Sequence, residues 1–296
     1  MDASGKNALN KFVQLAKISV LEMLVRTSWP CLMLTTQHRM ASGSFDLAKK
    51  VIYKNILDAD FSYGPDAQLS KSLPARMIEQ WVVKRFKAKE SPAGKASQSF
   101  FTVREPCTTE PTTKSRYNTD HVAATVKLSN AIFNEFPGLC GSKVVIITPY
   151  RMNLQFLEDA SKAQDLHPKC QEVEINTPFS FHGCEGVTVD FCMTLNQETG
   201  SLFVQDPHRV CIGLTRHECA LFMVGDIHTT NTIQSARKRM YGDGNSGEAL
   251  SMGSGRRPAL KEAVEYLWVA QRVVAFSPRG EVISLPNLEV APALGA

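Results

Sequence analysis

The chain has 296 residues, 43% of them hydrophobic and 21% charged, which is enough to bury a sizeable core and excludes a disordered or low-complexity protein. Lys and Arg number 33 against 29 Asp and Glu, a net charge of +4 that permits a polyanionic partner without requiring one. No stretch approaches the ~20 apolar residues of a membrane span, so no membrane partner is expected, and the mixed N-terminus lacks the apolar core of a secretory signal.

From the N-terminus, Asn10 to Arg26 reads as an amphipathic helix, with Phe12, Leu15, Ile18, Leu21, Met23 and Leu24 near helical spacing. Pro30 ends it, and Cys31 to Leu34 is a short apolar run expected as a buried strand. Polar residues, Thr35 to Met40, follow at the expected carboxyl end of that strand, where open α/β sheets place ligands. A helix is predicted over Phe45 to Asn55 and another from Pro74 to Phe86. The basic run Lys84, Arg85, Lys87 and Lys89 reads most simply as a solvated helix face.

Phe100 to Val103 is predicted as a strand, and the Pro/Thr-rich Cys107 to Ser115 as a loop. Asn118 is a good N-cap for a helix over His121 to Phe136, stopped by Pro137-Gly138. Lys143 to Thr148 is the clearest buried strand, followed by a helix over Tyr150 to Ala163. Further strands are expected at Glu172 to Phe181 and Val187 to Leu195. A helix and strand then fill Asp206 to Asp226, where the apolar run Ala220 to Val224 meets Gly225.

Strands alternating with helices define an α/β fold with a mostly parallel, doubly wound sheet and helices on both faces. Residues 1–229 form that domain in this reading. Gly, Ser and Arg dominate 230–258, a flexible linker, and 259–296 supplies a helix over Leu260 to Val273, a strand at Glu281 to Leu285 and a tail. The eight cysteines form no CxxC pair and no zinc-spaced cluster with histidine, so no metal site is expected. Scattered reduced thiols fit an intracellular protein, in nucleus or cytoplasm.

Four stretches stand in series: Leu34-Thr35-Thr36-Gln37-His38-Arg39-Met40, Ile147-Thr148-Pro149-Tyr150, Thr177-Pro178-Phe179-Ser180-Phe181-His182-Gly183-Cys184-Glu185, and Asp206 to His217. In order and spacing this series resembles the second RecA-like domain of superfamily-one helicases of the Upf/senataxin type. That family reads L-x-x-Q-Y-R-M, I-T-P-Y, T-V-D-x-F-Q-G-x-E and D-P-R-R-x-N-V-A-L-T-R-A. The resemblance runs from about Ile18 to Asp226 and implies a RecA-like P-loop NTPase fold.

It also implies roles. Arg39 and Arg216 would be catalytic arginine fingers approaching the γ-phosphate, where developing charge needs a cation. Glu185 would contact the ribose hydroxyls with Gly183 beside it, His38 would take the place of the tyrosine that lies against adenine, and Gln37 would hold the Arg39 loop. Thr148, Pro149, Tyr150 and Thr177 would line the channel for single-stranded RNA or DNA. His182 stands where the family has glutamine, Phe179 and Val187 where it has aspartates, Cys211 for asparagine and His217 for alanine. The losses at 179 and 182 remove polar groups that couple nucleotide to nucleic acid in the family.

A phosphate cradle needs G-x-x-x-x-G-K-[ST] after a strand, and the nearest match, Gly94-Lys95-Ala96-Ser97, has Lys89 at the first glycine and no strand before it. No Asp-Glu metal pair follows an apolar strand. ATP and Mg²⁺ are therefore expected only together with a first RecA-like domain, from an upstream segment or a partner chain. Two functions follow from the resemblance: the carboxyl-terminal half of an ATP-dependent helicase, or a catalytically inactive helicase-like module that binds RNA or a partner protein.

Overall fold

A computed structural model describes residues 18–30, 32, 34–54, 61–231 and 258–283. The described residues of the first unit, up to Thr36, include the helix α1 (Val20–Arg26). Ser19 caps it by accepting from the Glu22 N–H at 3.0 Å, and Arg26 pairs with Glu22 at 2.6 Å. No residue of α1 is buried. Of the strand expected at Cys31 to Leu34, the described residues Leu32 and Leu34 form no strand and are exposed, and Cys31 and Met33 lie outside the described residues. Four apolar residues in a row cannot by themselves specify a strand, which needs a neighbour to bond.

The second unit, from Gln37, is built on six strands: β1 (Ser99–Thr102), β2 (Val144–Ile147), β3 (Glu174–Asn176), β4 (Gly186–Cys192), β5 (His217–Gly225) and β6 (Val273–Ala275). They pair in the order β6-β1-β5-β4-β2-β3, every neighbouring pair parallel. Because side chains alternate along a strand, the inner strands feed two cores. Phe100, Val145, Ile147, Val189, Phe191, Leu221 and Met223 point to one; Phe101, Val144, Ile146, Cys192, Phe222 and Val224 point to the other. The second face is covered by α2 (Leu73–Phe86), α3 (Thr119–Glu135) and α4 (Arg151–Ala160). The first is covered by α5 (Pro207–Thr215), α6 (Ala259–Val269) and the helical turn over residues 45–53. The doubly wound α/β architecture is as the alternation of elements implies.

Several boundaries move for physical reasons. The helix expected over Phe45 to Asn55 is a short α-turn, Asp46–Ala48, that widens into a π-turn, Lys49–Tyr53, a distortion common near functional sites. The Cys107 to Ser115 loop folds back as a hairpin, Thr108–Thr109 against Arg116–Tyr117. The strand expected over Glu172 to Phe181 ends at Asn176, where Thr177 and Ser180 exchange side-chain and backbone hydrogen bonds that turn the chain. The helix expected to reach Val273 stops at Val269, with Gln271 left-handed (φ 57°), and Val273–Ala275 becomes edge strand β6. At the far end the strand expected from Glu281 is reduced to one bridge, Phe276 to Val282; residues after 283 lie outside the described residues.

The segment read as a separate carboxyl-terminal helix and tail thus contributes α6 and β6 to the same layers as the rest. The linker expected over 230–258 falls almost wholly outside the described residues. Arg272, fully buried just before β6, fixes this junction. Its guanidinium donates to both carboxylate oxygens of Glu79 on α2 at 3.0 Å and to the carbonyls of Lys89, Ser97 and Gln98. All its donors are used, which is the condition for a buried ion pair to be tolerated.

Candidate nucleotide and nucleic-acid sites

The motif positions collect at two ends of the sheet. The first cluster lies at the amino-terminal edge of β4 and β5, against the expectation that the residues around Arg39 sit at a strand's carboxyl end. Glu185 immediately precedes β4 and Arg216 immediately precedes β5, and the Gly186 N–H donates to the Arg216 carbonyl at 3.0 Å. The Gln37–Met40 turn is brought alongside by the Ala41 N–H, which donates to the Glu218 carbonyl at 2.8 Å. Gln37 closes that turn with its amide: Nε2 donates to the Met40 carbonyl at 2.7 Å, and Oε1 accepts from the Met40 N–H at 2.9 Å. Its place is therefore under the Arg39 loop.

Arg39 reaches across 146 residues of sequence to Glu185, with Nε donating to Oε2 at 2.6 Å, while Nη1 donates to the Thr215 carbonyl at 2.9 Å. The carbonyl at the end of α5 is the negative end of its dipole, a favourable seat for a guanidinium. Arg216 is half-buried, and its Nε has no hydrogen-bond partner among the described residues. Tyr53, placed by the π-turn, has its hydroxyl 3.6 Å from Cys211 Sγ. Burial pushes its phenol pKa up and the Cys211 side chain adds to the rise, while Arg216 and Arg39 pull it down.

His38 is exposed and packs on Gly64, where a Cβ would collide with the imidazole. Gly183 is exposed and left-handed (φ 88°), with open space where a Cβ would project, so the turn's backbone is what requires glycine there. His217 is fully buried, and neither ring nitrogen makes a hydrogen bond of good geometry. Burial holds its pKa down to about 3; the nearby Ser44 backbone opposes this and Arg39 adds to it.

The second cluster lies at the carboxyl ends of β2 and β3. Thr148 is buried, with its hydroxyl 3.2 Å from Thr194 Oγ1 and accepting from Asn153 Nδ2 at 3.0 Å, so the protein itself uses that hydroxyl. Pro149 is buried; Tyr150, half-buried, precedes α4. Burial raises the Tyr150 pKa to about 12, with Arg116 and Arg209 pulling it down and Cys107 pushing it up. Pro149 and Tyr150 line an open groove of about 650 Å³ together with Lys114, Ser115, Arg116 and Arg151. Thr177 is half-exposed at the end of β3.

Sequence reading did not single out Lys114, Arg116 and Arg151 as ligands. None has a carboxylate within ion-pair distance among the described residues. The nearest acid in the hairpin, Glu110, is turned inward, accepting from Thr112 and from the Thr113 N–H and hydroxyl, and these bonds hold its pKa down to about 2. The Gly94–Ser97 stretch that most nearly matches a phosphate loop lies between α2 and β1, and Lys95 is occupied by Asp46 at 2.8 Å. Among the described residues no cluster of His, Cys, Asp or Glu could hold a metal ion, and no helix is long and apolar enough to cross a membrane. The seven described cysteines are free thiols.

A family profile described as an AAA domain matches residues 16–228. The chain belongs to that family, and the fold is RecA-like. Helicase sen1 of Schizosaccharomyces pombe is 30% identical over 122 residues, which cover 40% of this chain and 7% of that protein. The probable helicase MAGATAMA 3 of Arabidopsis thaliana is 26% identical over 234 residues, 75% of this chain and 26% of that protein. The chain therefore spans 7% and 26% of the lengths of these two relatives. Together these matches make it a helicase-like domain of the Upf/senataxin superfamily-one type.

Proposed function

We propose that this chain is the second RecA-like domain of an ATP-dependent helicase acting on single-stranded RNA or DNA, in which Arg39 and Arg216 supply positive charge to the γ-phosphate. The observation that carries the reading is the convergence of Arg39, Glu185 and Arg216 at one edge of the sheet, in the positions the family motifs assign. A guanidinium is a planar, permanent cation suited to phosphoryl oxygens, and transfer of that group is catalysed chiefly by positioning and charge. Glu185 holds Arg39 before nucleotide arrives and binds ribose hydroxyls afterwards. The triphosphate cradle and the Mg²⁺ ligands come from a first RecA-like domain, since no P-loop pattern occurs in these residues.

The test is titration of the purified chain with a fluorescent ATP analogue, alongside a turnover assay with single-stranded oligonucleotide. Weak binding is expected, reduced several-fold in Arg39→Ala and in Arg216→Ala, with turnover at background for all three proteins. Binding unchanged by both substitutions overturns the arginine assignment. Oligonucleotide-stimulated turnover abolished by Arg216→Ala overturns the need for a first domain. A second reading, a non-hydrolysing module that binds RNA, draws on the exposed Phe179 and His182 at positions where the family couples nucleotide to strand. It is distinguished by single-strand affinity that ATP does not change.

A further inference from the structure

Most phenylalanines of the described chain are buried, but Phe179 is 62% exposed. It stands two residues after Thr177, in the turn that leaves β3, and its ring is backed on one side by the guanidinium carbon of Arg209 at 4.9 Å from the ring centre. Arg209 is itself mostly buried on α5 and lies 3.7 Å from the Asp206 carboxylate, so the backing is fixed from below. That turn leaves the sheet beside the groove: Asn176 pairs with Ile147, the Thr148 N–H donates to the Asn176 carbonyl at 2.9 Å, and the next residues, Pro149 and Tyr150, line the groove with Lys114, Arg116 and Arg151. An exposed aromatic ring thus stands on the turn beside a groove whose three cations have no carboxylate within ion-pair distance among the described residues. The Upf/senataxin pattern has aspartate where Phe179 stands, so the ring is a feature of this chain.

We infer that Phe179 is a stacking platform for an unpaired base of a single-stranded nucleic acid whose phosphates lie in the groove of Lys114, Arg116 and Arg151. This rests on the nucleic-acid part of the proposed function and adds to it the residue that engages the base. Single-strand grooves combine cations that track the backbone with aromatic rings on which bases stack, and such stacking tolerates every base because each has a π-face. The guanidinium behind the ring fixes its orientation, and its attraction to the π-face holds the ring away from collapse onto the sheet. Replacing aspartate by phenylalanine also removes a negative charge that would repel the strand's phosphates.

The test measures the affinity of the full chain for unstructured oligonucleotides of about twelve nucleotides, a length within the site size of comparable grooves. Ribose and deoxyribose forms are compared, each with a central 2-aminopurine. The wild-type chain should quench the 2-aminopurine. Phe179→Ala should abolish that quenching and weaken binding about five- to hundredfold, with the dependence on salt unchanged because no phosphate contact is lost. Phe179→Trp should keep both affinity and quenching. The ratio between ribose and deoxyribose arms assigns the strand's identity.

Equal affinity and equal quenching in wild type and Phe179→Ala overturn the platform while leaving strand binding intact. If the wild-type chain binds neither form even at low salt, the nucleic-acid part of the proposed function falls as well. Folding is not at stake, because the side chain is largely in water; circular dichroism of Phe179→Ala should match wild type.

Discussion

The two ends of one parallel sheet treat charge in opposite ways. At the amino-terminal edge the protein answers most of its own charges: Arg39 is held by Glu185 and the Thr215 carbonyl, and Arg272 by Glu79 and three carbonyls. At the carboxyl-terminal rim Lys114, Arg116 and Arg151 face a groove without a carboxylate partner among the described residues, while Glu110 is folded into its own turn. Charges satisfied internally stiffen a fold or wait for a competitor, whereas unanswered cations beside an open groove raise the local concentration of anions. The segment 177–185 runs between the two ends, from Thr177 after β3 to Glu185 before β4, with Phe181 buried in the core at its middle. A shift of Glu185 on releasing Arg39 would therefore pull on the same short segment that carries Phe179.

The comparison breaks most visibly at Arg272. Substitution by alanine leaves the Glu79 carboxylate mostly buried and unpaired, and should cost about 3–5 kcal/mol in urea unfolding. The double change Arg272→Met with Glu79→Leu should recover most of that loss, because removing both charges removes the burial penalty along with the pair. If the double variant is no more stable than the single, this edge depends on the ion pair for its shape rather than on the balance of charges.

A smaller effect lies in the middle of the sheet. Asp190, on β4, is fully buried; Ser129 donates to one oxygen at 2.8 Å and the other has no partner. Burial raises its pKa to about 7, with the Ser129 bond opposing the shift. The folded chain thus keeps a proton that an unfolded aspartate loses near 3.9, so this group's contribution falls as pH rises from about 4 to about 7 and is level above. Asp190→Asn should abolish that decline and be more stable than wild type at pH 8 by up to about 4 kcal/mol. Buried His217 and His121, with pKa values lowered to about 3 and about 4, act in the opposite sense: neutral in the fold, they lose stability for it as pH drops below about 6.5. Unfolding midpoints from pH 4 to 8 for wild type and Asp190→Asn separate the two contributions. Parallel curves for the two proteins would mean that Asp190 is charged in the folded state.

The sheet was legible in the sequence wherever a strand is buried on both faces: the apolar runs near Val144 to Ile147 and Ala220 to Val224 have no other stable place. Edge elements were not. A helix read to Val273 takes in the first residue of β6 and leaves Val274 and Ala275 unassigned, because only the left-handed Gln271 and the pairing with β1 decide that edge strand. The motif positions were readable. Their partners were not, since the approach of Arg39 to Glu185 depends on two loops meeting across the fold. Phe179 read as a loss, because a sequence shows the missing carboxylate but not the arginine under the ring. Lys114, Arg116 and Arg151 are scattered until the hairpin turns them beside α4.

The most direct test of the division between the two ends is the salt dependence of single-strand binding by wild type, by Arg116→Gln with Arg151→Gln, and by Arg216→Ala. Each phosphate contact contributes about 0.7 to the slope of log affinity against log salt for single strands. The account predicts that the double variant loses affinity and about 1.4 of slope, while Arg216→Ala binds as wild type does. A double variant with an unchanged slope, or an Arg216→Ala chain that loses strand binding to the same degree, would contradict it.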